Sequence, residues 1–123
     1  MSTRLKILII DDEENMRHML SVMLHKYGYS AELAEDGGAA LKLLSEHSYN
    51  FIICDIIMPG MDGLSFLRQA VVSGVTTPII MMAAYGTKEI ADRCMKEGAV
   101  DFICKPFKHH DLINKLLKIS GAE

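Results

Sequence analysis

Short apolar runs alternate along the whole chain with segments whose apolar residues recur every three or four positions. The runs are Leu5 to Ile10, Ser30 to Ala34, Phe51 to Cys54, Ile79 to Met82 and Phe102 to Cys104. Each has strand length, and most are apolar at consecutive positions, the pattern of a strand buried on both faces. Between them Met16, Met19, Leu20, Met23 and Leu24 share one helical face, as do Ile90, Ala91, Cys94 and Met95, and Leu112, Ile113, Leu116 and Leu117. Residues 39–47 and 64–72 supply two more helices with less regular apolar faces, and Gly28 and Gly98 stand where helices should stop.

Strict alternation of strand and helix predicts a parallel sheet covered by helices on both faces, because parallel strands need crossover connections. The run at 30–34 carries Glu32 among its apolar residues and is expected at an edge. No linker, repeat or low-complexity stretch interrupts the pattern, and half of the 123 residues are hydrophobic, so residues 1–123 are expected to form one domain around a single core.

Charge removes several function classes. The formal net charge is −3 with Lys and Arg scattered, which leaves no basic footprint for direct nucleic-acid contact. No apolar stretch approaches the ~20 residues of a membrane span, and the first one, too short for a signal sequence, is broken by Lys6; a cytoplasmic protein is expected. Cys54, Cys94 and Cys104 lack metal-ligand spacing and sit among apolar neighbours, which predicts buried thiols in a reducing compartment. The nine methionines lie mostly on core-facing stripes or in strands, where they serve as gap fillers.

Candidate chemistry lies at the carboxyl ends of the strands, where open α/β sheets bind ligands. Asp11 and Asp12 follow the first run, Asp55 the third, Ala83 and Ala84 the fourth and Lys105 the fifth. Taken alone, Asp11 or Asp12 suits a helix N-cap, with Glu13 and Glu14 favourable to the helix dipole, and Lys105 suits a solvated loop. Asp55 makes no such local sense, being a lone charge between "FIIC" and "IIMPG". Convergence of the carboxylates raises an electrostatic problem, since two of them about 4 Å apart repel by roughly 4 kcal/mol at an effective dielectric of about 20. A hard cation such as Mg²⁺ relieves it and suits carboxylate and carbonyl ligands. A carboxylate held beside Mg²⁺ and a lysine is also placed to attack phosphorus, giving an aspartyl phosphate. His109 and His110 are adjacent and do not face one another on a helix, so they read as a solvated helix start. "EDGG" at 35–38 and "MDG" at 61–63 read as turns.

Through "ILIIDDEENMR", "DIIMPGMDG", "PIIMMAAYG" and "DFICKPF", in order and spacing, nearly the whole chain resembles the receiver domains of two-component response regulators. The resemblance implies a flavodoxin-like, doubly wound α/β fold with five parallel strands in the order 2-1-3-4-5 and five helices. It implies Asp55 as phosphoacceptor, Mg²⁺ held by Asp11, Asp12, Asp55 and the backbone carbonyl of Ile57, and Lys105 paired with phosphoryl oxygens before a cis bond to Pro106. A sensor histidine kinase is then the donor. Output passes through protein contacts to an effector protein or effector domain, and the face of the fourth helix, fifth strand and fifth helix is a surface for partners or a dimer. The signatures "MMAAYG" and "GAVDFICKPF" are most similar to the nitrogen-regulatory type, and a stand-alone receiver of the chemotaxis kind is the other form.

One position departs from the family pattern. Ala83 stands where the family usually carries Thr or Ser, so the hydroxyl that bonds the phosphoryl group on activation is missing; the amide of Ala84 is left to do so, and Phe102 is the aromatic expected to rotate inward. Phosphoryl capture is expected to persist while the conformational response weakens. Ile57 and Tyr85 flank the site and are expected to slow hydrolysis by excluding water. Ala83 also motivates a second reading, a receiver-like module that docks without being phosphorylated. A flavodoxin-like cofactor carrier is disfavoured because "DDEE" would repel a flavin phosphate where a Gly- or Ser-rich cradle is needed. A phosphatase is disfavoured because the chain has little room for a substrate-selecting cap, and no Ser-His or Cys-His pair is suggested; the expectation is a signalling domain that assists only its own phosphorylation and dephosphorylation, not an enzyme.

Overall fold

In a computed structural model, residues 4–58, 62–84 and 87–121 are described. Ten elements alternate without exception: β1 (Lys6–Ile10), α1 (Glu14–Lys26), β2 (Ser30–Ala34), α2 (Gly37–Glu46), β3 (Phe51–Asp55), α3 (Gly63–Val72), β4 (Ile79–Ala83), α4 (Lys88–Lys96), β5 (Asp101–Cys104) and α5 (His109–Ser120). The strands form one parallel sheet in the order β2-β1-β3-β4-β5, so β2 and β5 are the edges and β1 and β3 lie at the centre.

Strand alternation sorts the core into two layers. Leu8, Ile10, Ile52, Cys54, Ile79 and Met81 pack with Ala40 of α2, Phe66, Leu67 and Ala70 of α3 and Cys94 of α4. Ile7, Ile9, Ile53, Ile80, Met82 and Ile103 face the other way, against Leu20, Met23 and Leu24 of α1 and Leu112, Ile113 and Leu116 of α5. Both faces of the central strands are therefore buried, which is why β1 and β3 read as continuous apolar runs.

Helix ends follow local chemistry. Gly28 and Gly98 adopt φ of 92° and 117°, and the amides of Tyr29 and Ala99 reach back to the carbonyls of Leu24 and Cys94, closing α1 and α4 in the way glycine alone does without strain. α2 and α3 begin two residues and one residue earlier than their apolar periodicity indicates. Asp36 and Asp62, which read as turn residues, are N-caps whose carboxylates accept from the amides of Ala39 and Ser65 at 2.8 Å. Cys54 and Cys94 are buried as expected, but Cys104 is exposed because it closes an edge strand whose apolar neighbours cover it on one side only. Met19 and Met95 lie at the margins of their helical stripes and are 43% and 46% exposed.

Gly63 fixes the loop after β3. A Cβ there would lie 2.2 Å from the Asp55 carbonyl oxygen and 2.6 Å from the Ile56 Cα, while the Gly63 amide donates to the Ile56 carbonyl at 2.7 Å. Backbone meets backbone, so nothing flexible can yield. Gly63→Ala is expected to cost about 2 kcal/mol or more, lowering the thermal midpoint by roughly 5–10 °C. Thermal denaturation followed by circular dichroism checks this, and an unchanged midpoint would show that the loop withdraws without penalty.

Candidate functional site

Three strands deliver charge to one end of the sheet. Asp11 follows β1 and is fully buried; Asp55 is the last residue of β3 and is 7% exposed. Burial at these positions is imposed by the sheet, since both sit where the central strands run out between α-helical layers. Lys105 follows β5, and its amide donates to the Ala83 carbonyl at 2.8 Å, which carries the β4–β5 pairing one step past the strand. Its Nζ lies 3.0 Å from Asp11 Oδ2 and 3.1 Å from Asp55 Oδ2. The Lys105–Pro106 peptide bond is cis.

The remaining valences of the two aspartates are engaged by backbone. Asp11 Oδ1 accepts from the Glu13 amide at 2.9 Å, and Asp55 Oδ1 from the Ile57 amide at 3.3 Å. The N-cap of α1 is Glu13, without a side-chain hydrogen bond, so neither Asp11 nor Asp12 serves as the cap. Asp12 is exposed beside them. Carboxylate oxygens of Asp11, Asp12 and Asp55 lie within 4.8 Å of one another, a spacing one small cation can span.

Electrostatics at this end are unbalanced. Burial, with the charge of Asp11 adding to it, raises the Asp55 carboxyl above its ordinary value, although Lys105 and the Ile57 amide pull the other way. For Lys105, burial opposes the charge, yet hydrogen bonds and attraction from Asp11 and Asp55 prevail and hold the ammonium above the ordinary lysine value. Two buried carboxylates share one ammonium. Burial, reinforced by Asp55 and Asp11, also pushes the Cys54 thiol well up, which keeps the sulfur beside the site neutral while it donates to the Asp55 carbonyl at 3.3 Å.

Of the other sequence candidates, Ala83 ends β4 and is 2% exposed, Ala84 is exposed, and Ile57 projects outward at 65% exposure. Phe102, in register with Met81, is partly buried against the core layer of α2, α3 and α4 and lines a cleft of about 540 Å³ with Asp101, Phe107, Asn114 and Lys115. Tyr85 lies outside the described residues. His109 opens α5 and His110 is exposed, neither joining the acid cluster. Sequence reasoning missed Arg17, whose Nη1 donates to the Asp11 carbonyl oxygen at 2.8 Å. The signal was its place one helical turn beyond Glu13, within reach of the acidic loop.

Residues 7–117 match the model of the response regulator receiver domain family. The chain is 37% identical over 107 residues to the regulatory protein AtoC of Escherichia coli K12, covering 87% of this chain and 23% of AtoC. It is 36% identical over 108 residues to the transcriptional regulatory protein FixJ of Bradyrhizobium diazoefficiens, covering 88% of this chain and 53% of FixJ. It therefore spans between about a quarter and about half of the length of these curated relatives. The structure superposes on Vibrio cholerae chemotaxis protein CheY4 with a TM-score of 0.88 at 31% identity, covering 95% of this chain and 99% of that one. NtrX from Brucella abortus matches with a TM-score of 0.87 at 30% identity, over 94% of this chain and 27% of that one. Fold, strand order and matched span agree, and the chain belongs to the response regulator receiver domains of two-component systems.

Proposed function

We propose that residues 1–123 are a single receiver domain that accepts a phosphoryl group on Asp55 from the phosphohistidine of a sensor kinase, with Mg²⁺ at Asp11, Asp12, Asp55 and the Ile57 carbonyl. The observation that carries this reading is the Lys105 ammonium held between Asp11 and Asp55 at 3.0 and 3.1 Å. In the transfer an Asp55 carboxylate oxygen forms a bond to phosphorus while the phosphorus–nitrogen bond to the donor histidine breaks, its electron pair leaving with the ring. Lys105 neutralises charge on the transferring group by exchanging its hydrogen bond to Asp55 Oδ2 for one to a phosphoryl oxygen. Bound Mg²⁺ supplies charge neutralisation that makes the carboxylate cluster tolerable and orients the donor phosphate.

The donor set fits such an ion, because hard oxygen ligands lie within one coordination sphere of one another. Activity is confined to the domain's own phosphorylation and dephosphorylation, with Ile57 and Tyr85 restricting water. Output passes through protein contacts on the face of α4, β5 and α5, to an effector protein or domain or to a second receiver, without direct nucleic-acid contact. The kinase meets this domain in the cytoplasm on this reading; among the described residues no helix is long and apolar enough to cross a membrane.

Ala83 favours a second reading, a module that docks without phosphorylation, and it bears on the switch in either case. A hydrogen bond to a charged group contributes about 1.5–3 kcal/mol, similar to the coupling of about 1–3 kcal/mol that links sites in typical switches. With the Ala84 amide left in place of the missing hydroxyl to hold a phosphoryl oxygen at the end of β4, the bias toward an inward Phe102 is weakened. Beryllium fluoride, a phosphoryl mimic, is expected to shift NMR signals of Phe102 and α4 less in this protein than in Ala83→Thr. Equal shifts would show that the hydroxyl is dispensable.

Intact mass after incubation with acetyl phosphate tests the chemistry. One phosphoryl adduct is expected with Mg²⁺, none with chelator and none in Asp55→Asn; absence of any adduct would favour docking alone. Thermal stability tests the electrostatics. Because folding raises the Asp55 value, its ionised form opposes folding at neutral pH, and that penalty fades as pH falls through the raised value toward the unfolded one. Asp55→Asn should therefore melt above the parent at pH 7 in chelator, with the gap closing as pH falls through the raised value. A lower midpoint for Asp55→Asn would mean that its pairing with Lys105 outweighs burial.

A further inference from the structure

The acidic loop holds a cation that the proposed chemistry does not use. Asp11 is fixed from four sides: its amide donates to the Ala34 carbonyl at 3.2 Å, Oδ1 accepts from Glu13 and Oδ2 from Lys105, and its carbonyl accepts from Arg17 at 2.8 Å. Only the last of these acts on the peptide unit that leads into Asp12. Asp12 itself is exposed, and its carboxylate makes no hydrogen bond or ion pair with any described residue. Its position is set by the backbone on which it stands, and that backbone is held by Arg17.

Arg17 is placed to do this by the first turn of α1. Its amide donates to the Glu13 carbonyl at 3.1 Å, and its half-buried side chain turns back along the helix toward the strand end. Four carboxylates, Asp11 to Glu14, stand within six residues of Arg17 in sequence, yet its guanidinium bonds a main-chain oxygen. That leaves the carboxylates for another cation while removing conformational freedom from the loop that presents them.

We propose that Arg17 is a positioning residue for the divalent-cation site, orienting the Asp11–Asp12 peptide so that the exposed Asp12 carboxylate meets Asp11 and Asp55 at one coordination centre. The proposal rests on the phosphoacceptor reading of the site. It makes a prediction opposite in sign to simple electrostatics. Removing a positive charge beside a cation site should tighten cation binding by Coulomb's law; removing a group that holds a ligand in place should weaken it, by roughly tenfold where supporting groups of metal ligands have been lost.

The test is Mg²⁺ titration of the whole chain followed by amide NMR signals of residues 11–13 and 55–57, in the parent, Arg17→Ala, Arg17→Gln and Arg17→Lys. Half-saturation is expected to need about tenfold more Mg²⁺ in Arg17→Ala and Arg17→Gln, and close to the parental concentration in Arg17→Lys, which keeps a donor. At saturating Mg²⁺ the rate of labelling by acetyl phosphate should be unchanged in all three, since Arg17 touches neither the phosphoryl group nor Asp55. Melting in chelator identifies any variant that does not fold, and the other two then decide. Unchanged or tighter Mg²⁺ binding in the folded Ala or Gln variant overturns the proposal, as does a rate deficit that saturation fails to restore. A parent that binds no Mg²⁺ removes the phosphoacceptor reading along with it, an outcome distinct from parental binding that Arg17 does not influence.

Discussion

One ammonium shared between two buried carboxylates holds this domain's functional end together. Lys105 is separated from Asp11 by 94 residues and from Asp55 by 50, so the contact is formed only when β1, β3 and β5 already occupy one sheet. β4 lies between Asp55 and Lys105 in the sheet, and the Lys105 amide is tied to the Ala83 carbonyl, so the ammonium is delivered across a strand that bears no charge of its own. Breaking a buried ion pair by removing one partner leaves an uncompensated charge, which is why such contacts tie distant elements to one another even where their net contribution to stability is small. The last strand and the first strand are made mutually dependent through it.

The same arrangement is deliberately incomplete in charge. Lys105 cannot neutralise Asp11 and Asp55 together, and Asp12 adds a third carboxylate at the solvent side. Arg17 spends its hydrogen bond on a carbonyl. The residue of negative charge is therefore concentrated where the three carboxylates converge, and a small dication is the species that removes it with the fewest ordered ligands. The raised Asp55 carboxyl expresses the same imbalance from the protein's side: burial and a like charge press for neutrality, and neutrality is obtained by a proton or by a metal. Only the second is compatible with the nucleophilic role proposed for Asp55.

Much of this was written plainly in the chain. Strands buried on both faces cannot alternate in polarity, so the runs of β1, β3 and β4 stood out, and a charged Asp55 inside the apolar passage from Phe51 to Met58 had no local purpose to explain it. What escaped reading depended on contacts that no local pattern encodes. Asp-Gly pairs at 36–37 and 62–63 suit a turn and a helix start equally, because an aspartate oxygen captures a nearby amide in both, and the outcome is decided by the packing of α2 and α3. The exposure of Cys104 reflects the place of β5 at the edge of the sheet, which its neighbours in sequence do not report. Gly63 and Arg17 each act on main chain at the site, one by leaving room beside Asp55 and one by bonding Asp11, and a backbone partner has no residue signature.

In the proposed function capture and response fall to different strands, and that separates what Ala83 removes from what it leaves. Asp11 and Asp12 belong to the end of β1, Asp55 to β3 and Lys105 to β5, while the altered position ends β4. Loss of a hydroxyl there takes nothing from the ligand cluster or from the lysine. On the proposed reading it removes a side-chain donor at the end of β4 that could gain contact with the phosphorylated site and not with the free one, and a ligand shifts a conformational equilibrium only by the difference in its interactions with the two states. The chemistry at Asp55 is thus independent of Ala83 in structural origin. Phe102 sits one strand further on and half inside the core, so any coupling of the proposed chemistry to it has β4 to cross. If Asp55 is the phosphoacceptor we propose, Ala83 leaves the means of storing the phosphoryl group in place and shortens the lever for reporting it.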